Sequence, residues 1–256
     1  NNPTSQSSAA SDVYKRQTRV WVEYNPRMVD VPDTLLRAPL LAGLNDDQRR
    51  ELVAAASPKT LARGEFLFHE GDEAEGLFVL ASGCIKLVRY TQQGKEMLLH
   101  LVRPGQTFAE ATLFGPRTYP ATAIAVERSQ AWLWLRPQLL ALIERTPELA
   151  LALVMSVSVW TRHLVGKLEL LTQRRVEERL AVYLLGRVGD RLLETGDEVE
   201  LRETKQLIAA QIGTAPEVLS RCFKQLEDQG VLAVRGNRVV ILDGGHFAVL
   251  AEPIEV

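Results

Sequence analysis

Four polar residues follow one another at helical spacing in the C-terminal third of the chain: Glu217, Ser220, Arg221 and Lys224. They stand at positions i, i+3, i+4 and i+7, so on an α-helix they share one face. The other face is apolar, with Val218, Leu219, Cys222, Phe223 and Leu226. A carboxylate, a hydroxyl and two cations are groups that read base edges in a DNA major groove and contact phosphates. On an isolated helix such a stripe is usually only solvated, so its meaning depends on the neighbouring elements.

Two short helices joined by a tight turn are predicted around that stripe. Thr204 is expected to cap the first helix, and Gly213 stands where the chain must turn sharply. Thr214 is expected to start the second helix, with Glu217 as its capping-box partner and Pro216 in the first turn. This pattern predicts a helix-turn-helix, a context that favours base reading over simple solvation of the stripe.

A β-hairpin is predicted directly after the second helix. Gly230 ends the helix, and the β-rich runs 231–234 and 238–242 flank the turn at residues 235–237. A helix over residues 174–188 is expected to open this part of the chain. The hairpin would form a wing beside the recognition helix.

The segment 223–241, FKQLEDQGVLAVRGNRVVI, resembles the C-terminal winged-helix domain of the CRP/FNR family of bacterial transcription regulators. Glu217-x-x-Ser220-Arg221 is similar to the recognition-helix motif of the FNR branch, whereas the cyclic-AMP branch usually has an arginine where Pro216 stands. The resemblance implies an FNR-type palindrome, TTGAT-N4-ATCAA, as the operator on double-stranded DNA. It implies the following DNA-binding residues: Thr204, Thr214, Pro216, Glu217, Ser220, Arg221 and Lys224.

Residues 60–135 predict a small antiparallel barrel or jelly roll. Short β-rich runs alternate with Gly and Pro, and residues 92–94, Gln-Gln-Gly, form a hairpin turn. The patterns at 64–72 and 77–87 resemble the cyclic-nucleotide-binding β-roll of the same family. Before the roll, Asn45 is expected to cap a helix that ends near Ser57, where Pro58 stops it.

A long helix is predicted after residues 146–148, Thr-Pro-Glu, which have the composition of a helix start. Residues 149–160 are apolar on nearly all sides, so the helix must be buried on more than one side. In one alternative, one side of the helix packs on the roll and another side packs on the same helix of a second copy. In the other, the helix is buried wholly within one chain. Similarity to the family's dimerisation helix implies an isologous homodimer. The interface residues expected are Leu149, Leu153, Trp160, Leu164, Leu168 and Leu171.

The effector residues are sought in the β-roll by comparison with the cyclic-AMP branch of the family. In the cyclic-AMP branch a Gly-Glu pair binds the ribose and an Arg-Ser pair clamps the phosphate. The matching residues here are Ala109-Glu110 and Tyr119-Pro120, with Arg117 nearby. Proline has no N–H and tyrosine is not a cation. The phosphate clamp is therefore missing, and tight binding of cyclic AMP is not expected. Glu110, Arg117 and Tyr119 are the candidate contacts for an effector.

The cysteines exclude an iron–sulfur sensor of the FNR type, because Cys84 and Cys222 are too far apart in sequence and too few. The motif at 108–111, Phe-Ala-Glu-Ala, together with Glu-x-x-Ser-Arg, resembles the nitric-oxide-responsive denitrification regulators called DNR or NNR. That resemblance implies haem in the β-roll. His163 is the first candidate ligand, the alternative being an ordinary helix histidine. No other metal ligand set is evident.

Composition limits the remaining possibilities. The 256 residues are 46% apolar with a net charge of −2, so DNA contacts must come from a local patch. Two cysteines fit a reducing cytoplasm, and neither a membrane span nor a signal peptide is expected. No nucleophile constellation or phosphate loop indicates an enzyme.

The expected architecture is α+β: an N-terminal β-roll, a long dimerisation helix and a C-terminal winged helix-turn-helix. Residues 1–18 are polar and resemble a cloning scar or a disordered tail. The expected domains are 19–145 for effector sensing, 146–172 for dimerisation and hinge, and 173–256 for DNA binding. RNA polymerase is a partner implied by the resemblance. The alternatives are a cyclic-nucleotide-responsive regulator, or a cyclic-nucleotide-binding module that regulates an enzyme or transporter.

Overall fold

The computed structural model describes residues 32–36, 38–41, 43–189 and 191–252; the predictions made for residues 1–31 lie outside these ranges. The first elements are α1 (Asp33–Leu36), a 3-10 turn (Pro39–Leu41) and α2 (Asp46–Ala54). The next are β1 (Ala56–Leu61), β2 (Phe66–Phe68), β3 (Gly76–Ser82), β4 (Ile85–Tyr90), β5 (Glu96–Val102), β6 (Thr107–Phe108), α3 (Ala111–Phe114), β7 (Thr122–Ala125) and β8 (Ser129–Leu135). Two helices follow, α4 (Arg136–Arg145) and α5 (Pro147–Gln173).

The eight strands form two four-stranded antiparallel sheets, with strand orders β1-β8-β3-β6 and β2-β7-β4-β5. Alternating side chains from both sheets meet between them, which is how a β-roll builds its core. Aromatic rings fill part of this space: Phe68 stacks on Tyr119 with centroids 3.7 Å apart, and Phe78 stacks on Phe108 at 5.2 Å. The predicted α+β fold with an N-terminal β-roll is confirmed.

The start of the roll differs from the prediction. Asn45 and Gln48 do form a capping box, so α2 begins where expected. The helix ends at Ala54 rather than near Ser57, and Pro58 lies within β1, opposite Trp132 of β8. A proline is tolerated there because β1 is an edge strand with one unpaired side.

The long helix α5 is buried on one side only. Leu149, Ala152 and Leu153 pack with the N-terminal helices and the outer face of the β1-containing sheet. Leu149 and Leu153 are only 1% and 2% exposed within one chain, so the prediction that they contact a second copy is corrected. The exposed apolar residues of α5 are Leu151, Val154, Met155, Val157, Val159, Leu164, Val165, Leu168 and Leu171.

One helix meets the length and composition of a membrane span, which the sequence analysis did not expect. The helix Pro147–Gln173 is long and apolar enough by length and composition, with a mean hydropathy of 1.5 over its best window. Its Leu149 side, however, is covered by the β-roll, and its second half carries Arg162 and Lys167. Lys167 donates to the Leu99 carbonyl of the roll at 3.0 Å. Part of this helix is therefore packed against the β-roll.

The C-terminal part forms the predicted winged helix-turn-helix. Its elements are α6 (Val176–Leu185), β9 (Glu198–Glu200), α7 (Lys205–Gln211), α8 (Pro216–Asp228), β10 (Leu232–Arg235), β11 (Arg238–Ile241) and α9 (Gly244–Ala251). The three strands form one antiparallel sheet in the order β10-β11-β9. Gly236 turns the hairpin with a positive φ of 64°. A separate apolar core holds these elements together around Leu180, Ile208, Leu219 and Phe223.

Candidate nucleic-acid interface and effector region

The recognition helix α8 has one buried and one exposed face. Leu219, Cys222, Phe223 and Leu226 are buried in the C-terminal core, as the spacing predicts. The opposite stripe is exposed: Glu217, Ser220, Arg221 and Lys224. Among the described residues, none of these four side chains forms a hydrogen bond or an ion pair with the rest of the protein. The stripe is therefore available to an external ligand.

The predicted capping box at the start of α8 is wrong. The N-cap is Ala215, not Thr214, and it makes no side-chain cap bond. Pro216 occupies the first helical position, and the residue before a proline is restricted to extended backbone, as Ala215 is with φ −86° and ψ 149°. Glu217 is consequently one position too early to close a capping box. Its carboxylate is left free to act as an acceptor for DNA.

The turn between α7 and α8 is held from outside the motif. Gly213 has φ 66°, and a Cβ there would come within 2.3 Å of Leu171 at the end of α5. Arg179 of α6 donates from Nη1 to the Ile212 carbonyl at 2.8 Å and to the Gly213 carbonyl at 3.1 Å. Thr204 caps α7 as predicted, accepting from the Leu207 N–H at 3.3 Å. Sequence reasoning did not find Arg179, because nothing local marks an arginine that bonds a turn more than 30 residues away.

The wing is fixed to the recognition helix and to β9. The Val234 N–H donates to Glu227 Oε1 near the end of α8 at 2.8 Å, and Arg238 pairs with Glu198 at 2.9 Å. Arg235 is exposed at the end of β10. The hairpin therefore has a set orientation beside α8 and offers Arg235 as a further cation that the sequence analysis did not single out.

The candidate effector residues are not brought together as one free site. Glu110 accepts from Thr107 Oγ1 and, at 3.2 Å, from Ser156 Oγ of α5. Tyr119 is 2% exposed, and its hydroxyl accepts from the Glu75 N–H at 3.0 Å. Arg117 is exposed on the surface. The expectation that Tyr119 contacts an effector is thus corrected, because its ring fills the roll core against Phe68.

Known proteins resemble both halves of the chain. Residues 58–146 match the cyclic nucleotide-binding domain family, and residues 178–246 match the Crp-like helix-turn-helix domain family. The chain is 30% identical over 214 residues to the Cyclic AMP receptor protein of Thermus thermophilus, covering 84% of this chain and 97% of that protein. It belongs to the CRP/FNR family of DNA-binding transcription regulators.

Other relatives agree with this assignment. The Transcriptional activator protein anr of Pseudomonas aeruginosa is 28% identical over 217 residues, covering 83% of this chain and 87% of that protein. The structure of FixK2 from Bradyrhizobium japonicum aligns with a TM-score of 0.65 at 22% identity, over 78% of this chain and 99% of that one, which shows a shared fold. The helix-turn-helix match over residues 178–246 includes α8.

A ring cluster joins the β-roll to α5 in this CRP/FNR regulator. His100 of β5 meets Trp160 edge-on at 4.3 Å, and His163 stacks on Trp160 at 5.3 Å. The two imidazoles are 5.4 Å apart. Burial, together with the nearby His163 and Lys167, lowers the pKa of His100 to about 4. Burial and the Lys167 charge also lower the pKa of His163.

The two cysteines are structural. Cys84 and Cys222 are both buried and free, as predicted for small core residues. Burial is the main cause that raises the pKa of the Cys222 thiol to about 11, so it carries little thiolate at neutral pH. Within the ranges that the structure describes, there is no group of three or more His, Cys, Asp or Glu side chains that could hold a metal ion.

Proposed function

We propose that this regulator binds, as a homodimer, an FNR-type palindrome of the form TTGAT-N4-ATCAA. The observation that carries the proposal is the exposed, unpaired stripe on α8, whose Glu217, Ser220 and Arg221 match the FNR-branch motif. Pro216 stands where the cyclic-AMP branch usually has an arginine. This difference favours an FNR-type site over a cyclic-AMP-type operator.

The side chains on α8 have distinct roles in this proposal. Arg221 donates to guanine O6 and N7, and Glu217 accepts from a cytosine N4 amine on the complementary strand. Ser220 contacts a neighbouring base. Lys224 and Thr214 contact phosphates and so contribute affinity without sequence preference.

The exposed apolar face of α5 supports the dimer. Leu164 and Leu168 are 45% and 63% exposed in the single chain, and further apolar residues of α5 extend the same surface. A second copy of α5 covers this face in an isologous contact. A two-fold dimer also places two recognition helices in successive major grooves, about one helical turn apart. Palindromy of the operator then follows from the symmetry of the protein.

The test combines operator binding with the oligomeric state. Fluorescence anisotropy with the palindrome should give tighter binding than with duplexes in which the TTGAT guanine is replaced. The double variant L164E/L168E should be monomeric by sedimentation and lose about 100-fold or more in affinity, because both half-sites can no longer be engaged together. Leu192→Glu is the matched control, since Leu192 is 69% exposed outside α5. Equal binding to all duplexes, or a monomeric wild type, contradicts the proposal.

The effector of the proposed regulator is not cyclic AMP. Tyr119 and Pro120 stand at the positions where the cyclic-AMP branch has its phosphate clamp, and the buried Tyr119 offers no cation. One relative is named Cyclic AMP receptor protein, so the cyclic-nucleotide-responsive alternative has a direct test. Calorimetry should detect no micromolar binding of cyclic AMP. A measured micromolar affinity would overturn this assignment and implicate Arg117.

The effector we favour is nitric oxide sensed through haem, as in the DNR/NNR branch. The donor chemistry of the ring cluster fits haem iron, because His163 and His100 both have lowered pKa values and so present neutral imidazoles. His163 is the more exposed and is the first candidate ligand. A haem would supply the binding site for the gas, and Trp160, which contacts both rings, would have to move to admit it.

The haem assignment is tested by absorption spectroscopy. Protein reconstituted with haem should give a Soret band that shifts when His163 is replaced by Ala. His246→Ala, in the C-terminal domain, is the control. An unchanged spectrum for His163→Ala rejects His163 as ligand.

As a DNA-binding regulator the protein would act in the cytoplasm, with RNA polymerase as the partner expected for transcription control.

A further inference from the structure

One lysine of α5 is half-buried against the β-roll without an acidic partner. Lys167 Nζ donates to the Leu99 carbonyl of β5 at 3.0 Å, and no ion pair holds it among the described residues. An ammonium has three N–H donors, so this contact leaves the other two for a further acceptor. Glu169, the nearest acid in the sequence, is two positions along α5 and therefore lies on another side of the helix.

The groups around the Lys167 ammonium bring no negative charge either. Burial lowers the pKa of Lys167, and burial together with the Lys167 charge lowers the pKa of His163. The pKa of His100 is lowered to about 4, mainly by burial, and among the described residues no carboxylate acts on any of these three groups. Charges that proteins remove from water are normally paired. An ammonium and two imidazoles without an acid are therefore complementary to an anion from outside the chain.

The surface beside this ammonium is apolar. Four apolar residues of β5 and α5 line the same cleft as the lysine: Met97, Leu98, Leu99 and Trp160. The cleft has a volume of about 2130 Å³, whereas pockets for drug-sized molecules measure about 300–1,000 Å³, so space does not limit a small ligand. A ligand that fits both features of this place has an apolar body and an anionic end.

We propose that Lys167 binds the carboxylate of an apolar effector whose body lies against β5 and α5, beside the ring cluster. A carboxylate accepts the unused N–H donors in charge-assisted hydrogen bonds, and its charge offsets the burial of the ammonium. Haem has this chemistry, because its propionates are carboxylates on an apolar ring. The inference therefore rests on the proposed effector function, and it adds a second protein contact to the one from His163.

Metal-free protoporphyrin IX isolates the carboxylate contact, because it has the propionates of haem but no iron for a histidine to bind. Titrations of the full-length protein, followed by porphyrin fluorescence, compare this acid with its neutral dimethyl ester. The wild type should bind the acid about tenfold tighter than the ester, since hydrogen bonds between charged groups are the stronger class. The preference should disappear in K167M, and K167R should restore most of it.

The matched control is K95M. Lys95 lines the same cleft and carries the same charge, but it is exposed in the turn between β4 and β5, and no ion pair holds it among the described residues. K95M should therefore keep the wild-type preference for the acid. Calorimetry with decanoate and decanol provides a second arm, in which the apolar acid contains no porphyrin. Urea unfolding of each variant shows whether a loss of binding is a loss of structure.

The outcomes separate this inference from the proposed sensing of nitric oxide through haem. Equal binding of acid and neutral ligand by the wild type overturns the Lys167 contact, and so does an acid preference that survives in K167M. A preference lost equally in K95M also overturns it, because any cation of the cleft would then suffice. If the wild type binds neither porphyrin nor decanoate, the contact is likewise rejected. A decanoate preference that depends on Lys167, without porphyrin binding, supports the contact and rejects haem instead.

Discussion

The recognition helix and the β-roll differ in whether their polar side chains are exposed or are held by contacts within the protein. On α8, Arg221 and Lys224 are exposed and have no bonding partner within the described residues. In the roll, Glu110 is bonded to Thr107 and Ser156, and Tyr119 is buried against Phe68. The polar side chains of α8 can therefore bind a ligand directly, whereas Glu110 and Tyr119 of the β-roll are already held by contacts within the protein.

This difference decides how strongly each region supports a function. Groups that are free on a rigid helix lose only water when a ligand arrives, so their pattern can be compared directly with base edges. Groups that already share hydrogen bonds must first break them, at a net cost of about 1 kcal/mol each. An effector that used Glu110 would therefore have to displace Ser156 of α5, and its binding would be coupled to the position of that helix.

The comparison is tested most severely at Tyr119. If the ring is a core residue, Tyr119→Ala should lower the free energy of unfolding by about 3–5 kcal/mol, the usual cost of truncating a buried aromatic side chain. Urea unfolding followed by circular dichroism measures it. Tyr90→Ala is the matched control, since Tyr90 is 46% exposed on β4 and should change stability much less. A small loss for Tyr119→Ala would mean that the side chain is held for a ligand rather than for the fold.

Arg221 provides the corresponding test on α8. Arg221→Ala should weaken binding to the TTGAT operator by about 1–3 kcal/mol and relax the preference for its guanine. Its exposure predicts a change in unfolding free energy of no more than about 0.5 kcal/mol. Lys224→Ala is the comparison variant, expected to weaken all duplexes alike and to flatten the salt dependence. An equal loss by Arg221→Ala on matched and guanine-substituted operators would make Arg221 a phosphate contact only.

Local sequence patterns predicted most of the fold. The hairpin turn at Gly94, the cap at Thr204 and the buried face of α8 all depend on neighbouring residues, and all are found in the structure. The capping box at Thr214 failed because Pro216 restricts Ala215 and moves the start of α8 by one residue. That error was also local, and the rule for residues before proline could have prevented it.

The sequence could not show how the elements are arranged in space. A helix that is apolar all round has no pattern to say which side meets the roll, so Leu149 and Leu153 were placed on the wrong face. The ion pair between Arg103 and Glu203 joins residues 100 positions apart. No local signal relates two such charges, because only the tertiary fold brings the residue after β5 together with Glu203, two residues before α7.

The smallest effect is expected at His100, a half-buried titratable group of the roll. Its neighbours include two cations, Lys167 on α5 and Arg103 after β5, together with the imidazole of His163. Its pKa of about 4 in the folded protein lies below the ordinary 6.5, so between these values the unfolded chain binds a proton that the folded protein excludes. Stability should therefore be kept above about pH 6.5 and fall as the pH drops towards 4.

Replacing His100 by Phe isolates this effect, because Phe preserves an aromatic contact with Trp160 but cannot take up a proton. Between pH 7 and pH 5, the unfolding free energy of the wild type should fall by about 1–2 kcal/mol more than that of His100→Phe. Urea titrations at the two pH values measure both proteins, and carboxylates common to both cancel in the difference. Parallel pH profiles would mean that His100 is solvated in the folded protein. The β-roll would then contain a polar side chain that is accessible to solvent, like those on α8, and the contrast between the two regions would be lost.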